Sequence, residues 1–108
     1  MQSQSSSQGP DARAVLVVFT IEGCGACAEY KPTFMKVASA YRGRFPIYML
    51  DANDTNPQVA QLAQRLNVQA VPATFVLRKP TGMIRVEGAI PADQVAWLCD
   101  IAARENSY

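Results

Sequence analysis

An uninterrupted apolar run constrains the fold of this chain more than any other feature. Residues 14–20 read Ala-Val-Leu-Val-Val-Phe-Thr, a short stretch rich in β-branched residues. A strand with one buried face alternates apolar and polar residues, whereas a strand buried on both faces is apolar throughout. The run therefore predicts the central strand of a sheet that is covered on both faces.

The segments that follow predict the other elements of an α/β domain. After the breaker Gly23, apolar residues recur with a helical period until Gly43 closes the segment. Residues 45–50 predict a second strand, and Asn56-Pro57 caps and starts a second helix. Two strand-helix units in succession imply a parallel pair of strands.

The C-terminal third of the chain predicts a hairpin and a last helix. Residues 73–77 and 83–87 flank a Lys-Pro-Thr-Gly turn, and Pro91 opens the final helix. The predicted order is βαβαββα, a minimal α/β core with a central mixed sheet flanked by helices. Residues 1–12, which are rich in Ser and Gln, are predicted to be a disordered tail, and residues 13–108 to form the domain.

Composition excludes several classes of function. With 108 residues, 49% of them apolar, the chain has room for one globular domain. Ten Lys and Arg against nine Asp and Glu leave a net charge of +1, which argues against binding to nucleic acid or an acidic membrane surface. Histidine is absent, so Cys-His nucleophilic pairs and His-containing zinc sites are excluded. Any chemistry must therefore use cysteines, carboxylates or backbone groups.

The candidate for that chemistry is Cys24-Gly25-Ala26-Cys27, placed where the first strand gives way to the first helix. Residues three apart in the first turn of a helix are about 5 to 6 Å from each other, within the Cα separation that a disulfide needs. Cys24 faces the free N–H groups of the helix start, which favour a thiolate, whereas Cys27 lies one turn inside on the apolar face. This asymmetry predicts that Cys24 attacks a substrate disulfide and that Cys27 resolves the mixed disulfide. By itself, the spacing also fits a fixed disulfide or half of a metal site.

The motif and two prolines together resemble the thioredoxin family. Besides the cysteine pair after a buried strand, Pro32 lies inside the predicted helix and Val71-Pro72 precedes a predicted strand. The resemblance implies a thioredoxin fold in which Pro72 is cis and faces the cysteines, while Val71 offers backbone groups to an extended substrate peptide. It also places Gly88 beside the substrate groove. The segment 71–77, Val-Pro-Ala-Thr-Phe-Val-Leu, is similar to the extracytoplasmic TlpA-like branch.

This chain departs from the family pattern around the motif. Gly23 stands in place of a Trp, Ala26 in place of a Pro, and Val18 in place of a buried Asp. Gly23, Gly25 and Ala26 then form the substrate-binding surface, with the nucleophile more exposed and an added N–H donor for a sulfur anion. Val18 leaves no buried carboxylate to take the proton of Cys27 during resolution.

The sequence thus predicts a thiol-disulfide oxidoreductase that acts on protein disulfides through a reversible Cys24-Cys27 disulfide, with reduction favoured over oxidation. No cofactor beyond that disulfide is expected, and the expected partners are protein disulfide substrates and an upstream thiol reductant or oxidant.

Two alternative functions remain open at this point, a redox-inert thioredoxin-like binding module and a CxxC metal-binding protein. Cys99, in the last helix, is expected to be a small buried hydrophobe. A monomer without a membrane span is expected, cytoplasmic as the sequence stands and periplasmic or secreted if a signal or anchor was removed.

Overall fold

The computed structural model describes residues 12–107 and has the predicted order of elements. The elements are β1 (Ala14–Thr20), α1 (Gly25–Ser39), β2 (Ile47–Asp51), α2 (Pro57–Arg65), β3 (Ala73–Arg78), β4 (Met83–Glu87) and α3 (Ala92–Glu105). Of the predicted tail, only Ala12 is among the described residues, and it is buried. Residues 1–11 of the predicted tail lie outside the described part.

The four strands form one sheet in the order β2-β1-β3-β4. β1 pairs in parallel with β2, whereas the β1–β3 and β3–β4 pairs are antiparallel. The parallel pair follows because α1 carries the chain back across a face of the sheet between β1 and β2. β1 therefore has a partner strand on each side, as its continuous apolar sequence predicts.

Alternate residues of β1 belong to two cores, one on each face of the sheet. Leu16 and Val18 pack with buried residues of α1 and α3, while Val17 and Phe19 pack with Phe75 and with half-buried residues of α2. Successive side chains of a strand point to opposite faces, so an apolar strand covered on both faces must divide in this way. The result is the predicted α/β architecture, a mixed sheet with helices on both faces. No helix within residues 12–107 has both the length and the apolar character needed to cross a membrane.

The ends of two elements differ from the sequence prediction by a few residues. α1 ends at Ser39 rather than at Gly43, because the N–H groups of the next two residues bond to carbonyls three residues earlier and tighten the chain into turns. β2 begins at Ile47, two residues later than expected, and the preceding Pro46 has no N–H to donate to a ladder. The cap of α2 is as predicted, since the side chain of Asn56 accepts hydrogen bonds from the first N–H groups of the helix.

Candidate functional site

Cys24 occupies the N-cap of α1, four residues after the end of β1. Its backbone is extended, with φ −92° and ψ 113°, and its carbonyl accepts the helical hydrogen bond from Ala28. Its Sγ accepts a hydrogen bond from the N–H of Cys27 at 3.1 Å. The junction of strand and helix therefore directs the sulfur toward the free N–H groups at the positive end of the helix.

The two cysteines of the motif lie in contrasting environments. Hydrogen bonds from the Cys27 thiol and the Cys27 N–H lower the pKa of Cys24, and the N–H of Ala26 adds a smaller effect in the same direction. Burial raises the pKa of Cys27, which is 1% exposed, and its hydrogen bond to the Cys24 side chain raises it further. This asymmetry has the direction that the helix-start argument predicts.

The segment Val71-Pro72 lies beside Cys24. Its peptide bond is cis, the isomer that the family resemblance implies. Cys24 Sγ is 3.9 Å from the carbonyl oxygen of Val71. Gly88 donates its N–H to the carbonyl of Pro72 at 2.7 Å and has a φ of +91°, which residues with a Cβ rarely adopt. The structure thus brings Cys24, Val71, Pro72 and Gly88 into one site.

An open surface surrounds the cysteine pair. Gly23, Gly25 and Ala26 are exposed, and apart from adjacent residues and the local helix backbone no heavy atom lies within 4 Å of where a Cβ would stand on either glycine. Cys24 itself is partly exposed. Pro32 is placed inside α1, on its exposed side. Of the residues predicted to form the substrate-binding surface, Gly23, Gly25 and Ala26 are therefore accessible, whereas Val71 and Gly88 are half-buried and the neighbouring Pro72 is buried.

Val18 stands in the core at the position where the family pattern has an acid. Val18 is fully buried, whereas Glu22 and Glu29, the glutamates nearest to the motif in sequence, are exposed. Burial is the main influence on the pKa of Cys27, and the positive charge of Lys31 partly offsets it by lowering that pKa. Sequence reasoning missed Lys31, although its position four residues after Cys27 on a helix could have indicated it.

Sequence reasoning also missed a buried pair of hydroxyl groups behind the motif. The hydroxyl of Tyr30 and Oγ1 of Thr74 form a hydrogen bond of 2.8 Å. Tyr30 is 1% exposed and Thr74 is fully buried. Tyr30 is one of the apolar residues that recur with a helical period after Gly23, and this period predicts that it faces the core but gives no partner for its hydroxyl. The available signal was Thr74 itself, a polar residue that lies two positions after Pro72 in an otherwise apolar predicted strand.

Cys99 belongs to the core rather than to this site. It is fully buried in α3, and burial, with a smaller effect of Asp100, raises the pKa of its thiol to about 12. The thiol therefore stays neutral at physiological pH, as expected of a small buried hydrophobe. Within residues 12–107, no group of three or more Cys, Asp or Glu is arranged so that it could hold a metal ion.

Comparisons with known proteins agree with this fold. A family profile described as a thioredoxin-like domain matches residues 2–103. The putative thioredoxin 2 of Streptomyces coelicolor is 30% identical over 81 residues, which cover 75% of this chain and 57% of that protein. A thioredoxin of Chlorobaculum thiosulfatiphilum is 27% identical over 84 residues, which cover 78% of this chain and 74% of that one. The crystal structure of thioredoxin f from spinach chloroplast, in its short form, matches with a TM-score of 0.68 and 25% identity over 84% of this chain and 77% of that chain. The chain thus spans little more than half the length of the Streptomyces relative.

Proposed function

Because the chain belongs to the thioredoxin-like domain family and has the thioredoxin fold, we propose that it is a thiol-disulfide oxidoreductase acting on protein disulfides. The placement of the Cys24 sulfur carries this proposal. The Cys27 N–H, 3.1 Å from Sγ, favours the thiolate, and the Val71 carbonyl oxygen, 3.9 Å from Sγ, is a hydrogen-bond acceptor beside it. An extended substrate backbone that bonds to this carbonyl would bring its own disulfide to the nucleophile.

The reaction consists of two thiol-disulfide exchanges. The Cys24 thiolate attacks one sulfur of the substrate disulfide, the substrate S–S bond breaks, and the released thiolate takes a proton from solvent. Cys27 then loses its proton and attacks Cys24 Sγ in the mixed disulfide, which releases the second substrate sulfur as a thiolate, and this thiolate is protonated in turn. The substrate gains two electrons and two protons, and the cysteine pair becomes a disulfide. A thiol or dithiol reductant from outside the chain returns the pair to the reduced form.

Resolution by Cys27 is the step for which the described side chains offer the least help. Burial raises the pKa of the Cys27 thiol, and Val18 offers no carboxylate to accept its proton. The charge of Lys31 favours the Cys27 thiolate but cannot take up a proton while it is itself protonated. We therefore expect slow resolution and a long-lived mixed disulfide.

The reducing direction is supported by the relatives, two of which are named thioredoxins. In this direction the protein would deliver electrons from a cellular thiol reductant to disulfides of other proteins.

The proposal is tested by trapping the mixed disulfide with a purified disulfide protein such as insulin. Cys27→Ser keeps the attacking thiol and removes the resolving one, so it should accumulate a covalent adduct that a non-reducing gel and mass spectrometry detect. Cys24→Ser should form almost none, because the remaining Cys27 thiol is buried and has a raised pKa. Cys99→Ala is the matched control, since it removes a thiol outside the site and should behave as the unaltered protein does.

Two results would contradict the proposal. Equal amounts of adduct with Cys24→Ser and Cys27→Ser would refute the assignment of Cys24 as the nucleophile and Cys27 as the resolving thiol. No adduct with any variant, together with no reduction of insulin by the unaltered protein, would favour a redox-inert binding module.

A further inference from the structure

We propose that the buried hydrogen bond between Tyr30 and Thr74 positions the cysteine helix against the Val71-Pro72 segment, and that efficient attack on protein disulfides depends on it. Tyr30 and Thr74 are positioning residues, because they act through the cysteines and the segment rather than on the substrate. The inference rests on the proposed function, since it concerns the same site.

The bond joins the two elements that carry opposite sides of the site. Tyr30 lies three residues after Cys27, and both side chains are on the buried face of α1. Thr74 lies three residues after Val71, near the start of β3. The 2.8 Å hydrogen bond between their hydroxyls therefore closes a ring whose other contact is the 3.9 Å approach of Cys24 Sγ to the Val71 carbonyl oxygen.

The surroundings of the bond are apolar, which makes its geometry restrictive. Tyr30 packs in the core cluster that contains Val18 and Phe34, and Thr74 pairs in register with Val18 of β1 and Val86 of β4. A hydroxyl buried in such a place is costly unless a partner stands at hydrogen-bond distance and angle. Apolar contacts tolerate sliding, whereas this directional bond favours one position of α1 along β3.

Protein and small substrates should depend on this alignment to different degrees. A protein disulfide must engage the Val71 backbone and the Cys24 sulfur together, so a displacement between α1 and β3 misplaces one of them. A small aromatic disulfide needs only an accessible Cys24 thiolate. The Tyr30–Thr74 bond should therefore matter for the first reaction and hardly for the second.

The experiment compares Tyr30→Phe, Thr74→Val and Thr74→Ser in two assays, insulin reduction and attack on a small aromatic disulfide. Tyr30→Phe and Thr74→Val remove one hydroxyl each and should lower kcat/KM for insulin by about three- to tenfold, while the rate with the small disulfide stays unchanged. Thr74→Ser keeps the hydroxyl and should retain insulin activity. The matched control is Tyr41→Phe, which removes a tyrosine hydroxyl bonded to Asp100 instead and should leave both rates unchanged.

The outcomes separate this inference from the proposed function. Each variant is first checked by urea denaturation, and rates are compared only where the native state dominates. Insulin rates equal to that of the unaltered protein, or equal losses with both substrates, would overturn the positioning role. An unaltered protein that reduces no insulin would instead refute the proposed function itself.

Discussion

Replacing Val18 with aspartate tests whether proton removal from Cys27 limits turnover. Val18 is fully buried and pairs in register with Thr74, on the same side of the sheet as Tyr30. A carboxylate there would be desolvated, so its pKa would rise, and it could accept the Cys27 proton near neutral pH. We expect insulin reduction, with the cysteine pair regenerated by dithiothreitol, to become about tenfold faster near neutral pH.

The same substitution should destabilise the fold by an amount that can be worked out from burial. Losing the fully buried Val18 side chain costs roughly 1.5 to 3 kcal/mol, and a buried carboxyl with incomplete partners costs about 1 to 3 kcal/mol more. The Thr74 hydroxyl across the strand pair can donate to the new carboxyl, which favours the lower part of that range. Since domains are typically stable by about 5 to 15 kcal/mol, we expect a folded variant with a lower denaturation midpoint.

The pH dependence of stability reports the raised pKa independently. The unfolded aspartate ionises near its ordinary value of about 3.9, whereas the buried one ionises at a higher pH. The Val18→Asp protein should therefore lose stability, relative to the unaltered protein, as the pH rises from about 4 through the folded pKa, and no further above it.

Val18→Asn is the matched control for the rate. It introduces a polar side chain of the same shape without a titratable proton, so it should lower stability but leave turnover unchanged. A folded Val18→Asp protein with unchanged or lower turnover would refute the reasoning, as would an equal gain with asparagine. In that case Glu22→Gln and Glu29→Gln would be compared next, because these exposed residues are the glutamates nearest to the motif in sequence.

The remaining predictions concern the individual thiols. The rate at which iodoacetamide alkylates native Cys24 should reach half of its maximum at a pH below about 8.5, the value for an unfolded thiol, because the Cys27 hydrogen bonds lower the pKa of Cys24. A half-maximal rate at about 8.5 would contradict the assignment of Cys24 as the nucleophile. Cys99, whose pKa is raised to about 12, should react only after unfolding. In the unfolded chain this thiol ionises at a lower pH than in the folded protein. The free energy of unfolding, measured by urea denaturation, should therefore fall between about pH 9 and 12, by about 1.4 kcal/mol per pH unit more than in Cys99→Ala. Equal slopes in the two proteins would contradict the burial of Cys99.

Local signals in the sequence were sufficient to predict the order of the elements and the reactive cysteine. The apolar run of β1 required a central strand, and Asn56-Pro57 marked the start of α2 because capping and a fixed φ act on neighbouring residues. The position of Cys24 at a helix start likewise follows from residues adjacent in the chain. These features depend on no knowledge of how strands pair.

The features that could not be predicted depend on register between distant elements. The Tyr30–Thr74 bond requires α1 to lie over β3 at one position, and nothing near either residue specifies that position. α1 ends earlier than predicted because tight turns replace its last helical turn. The apolar period alone does not show where a helix gives way to such turns.

The central claim, a reversible disulfide between Cys24 and Cys27, is tested most directly by equilibrating the protein across a series of redox buffers, made with dithiothreitol for the reducing range and with glutathione for the oxidising range. At each potential the free thiols are alkylated and counted by mass spectrometry after unfolding. We expect one two-electron transition that joins Cys24 to Cys27 and leaves Cys99 as a free thiol, with a midpoint nearer to about −270 mV than to about −120 mV. No transition, or one in which Cys99 is consumed, would contradict the redox site, and a midpoint near the upper value would contradict the reducing direction.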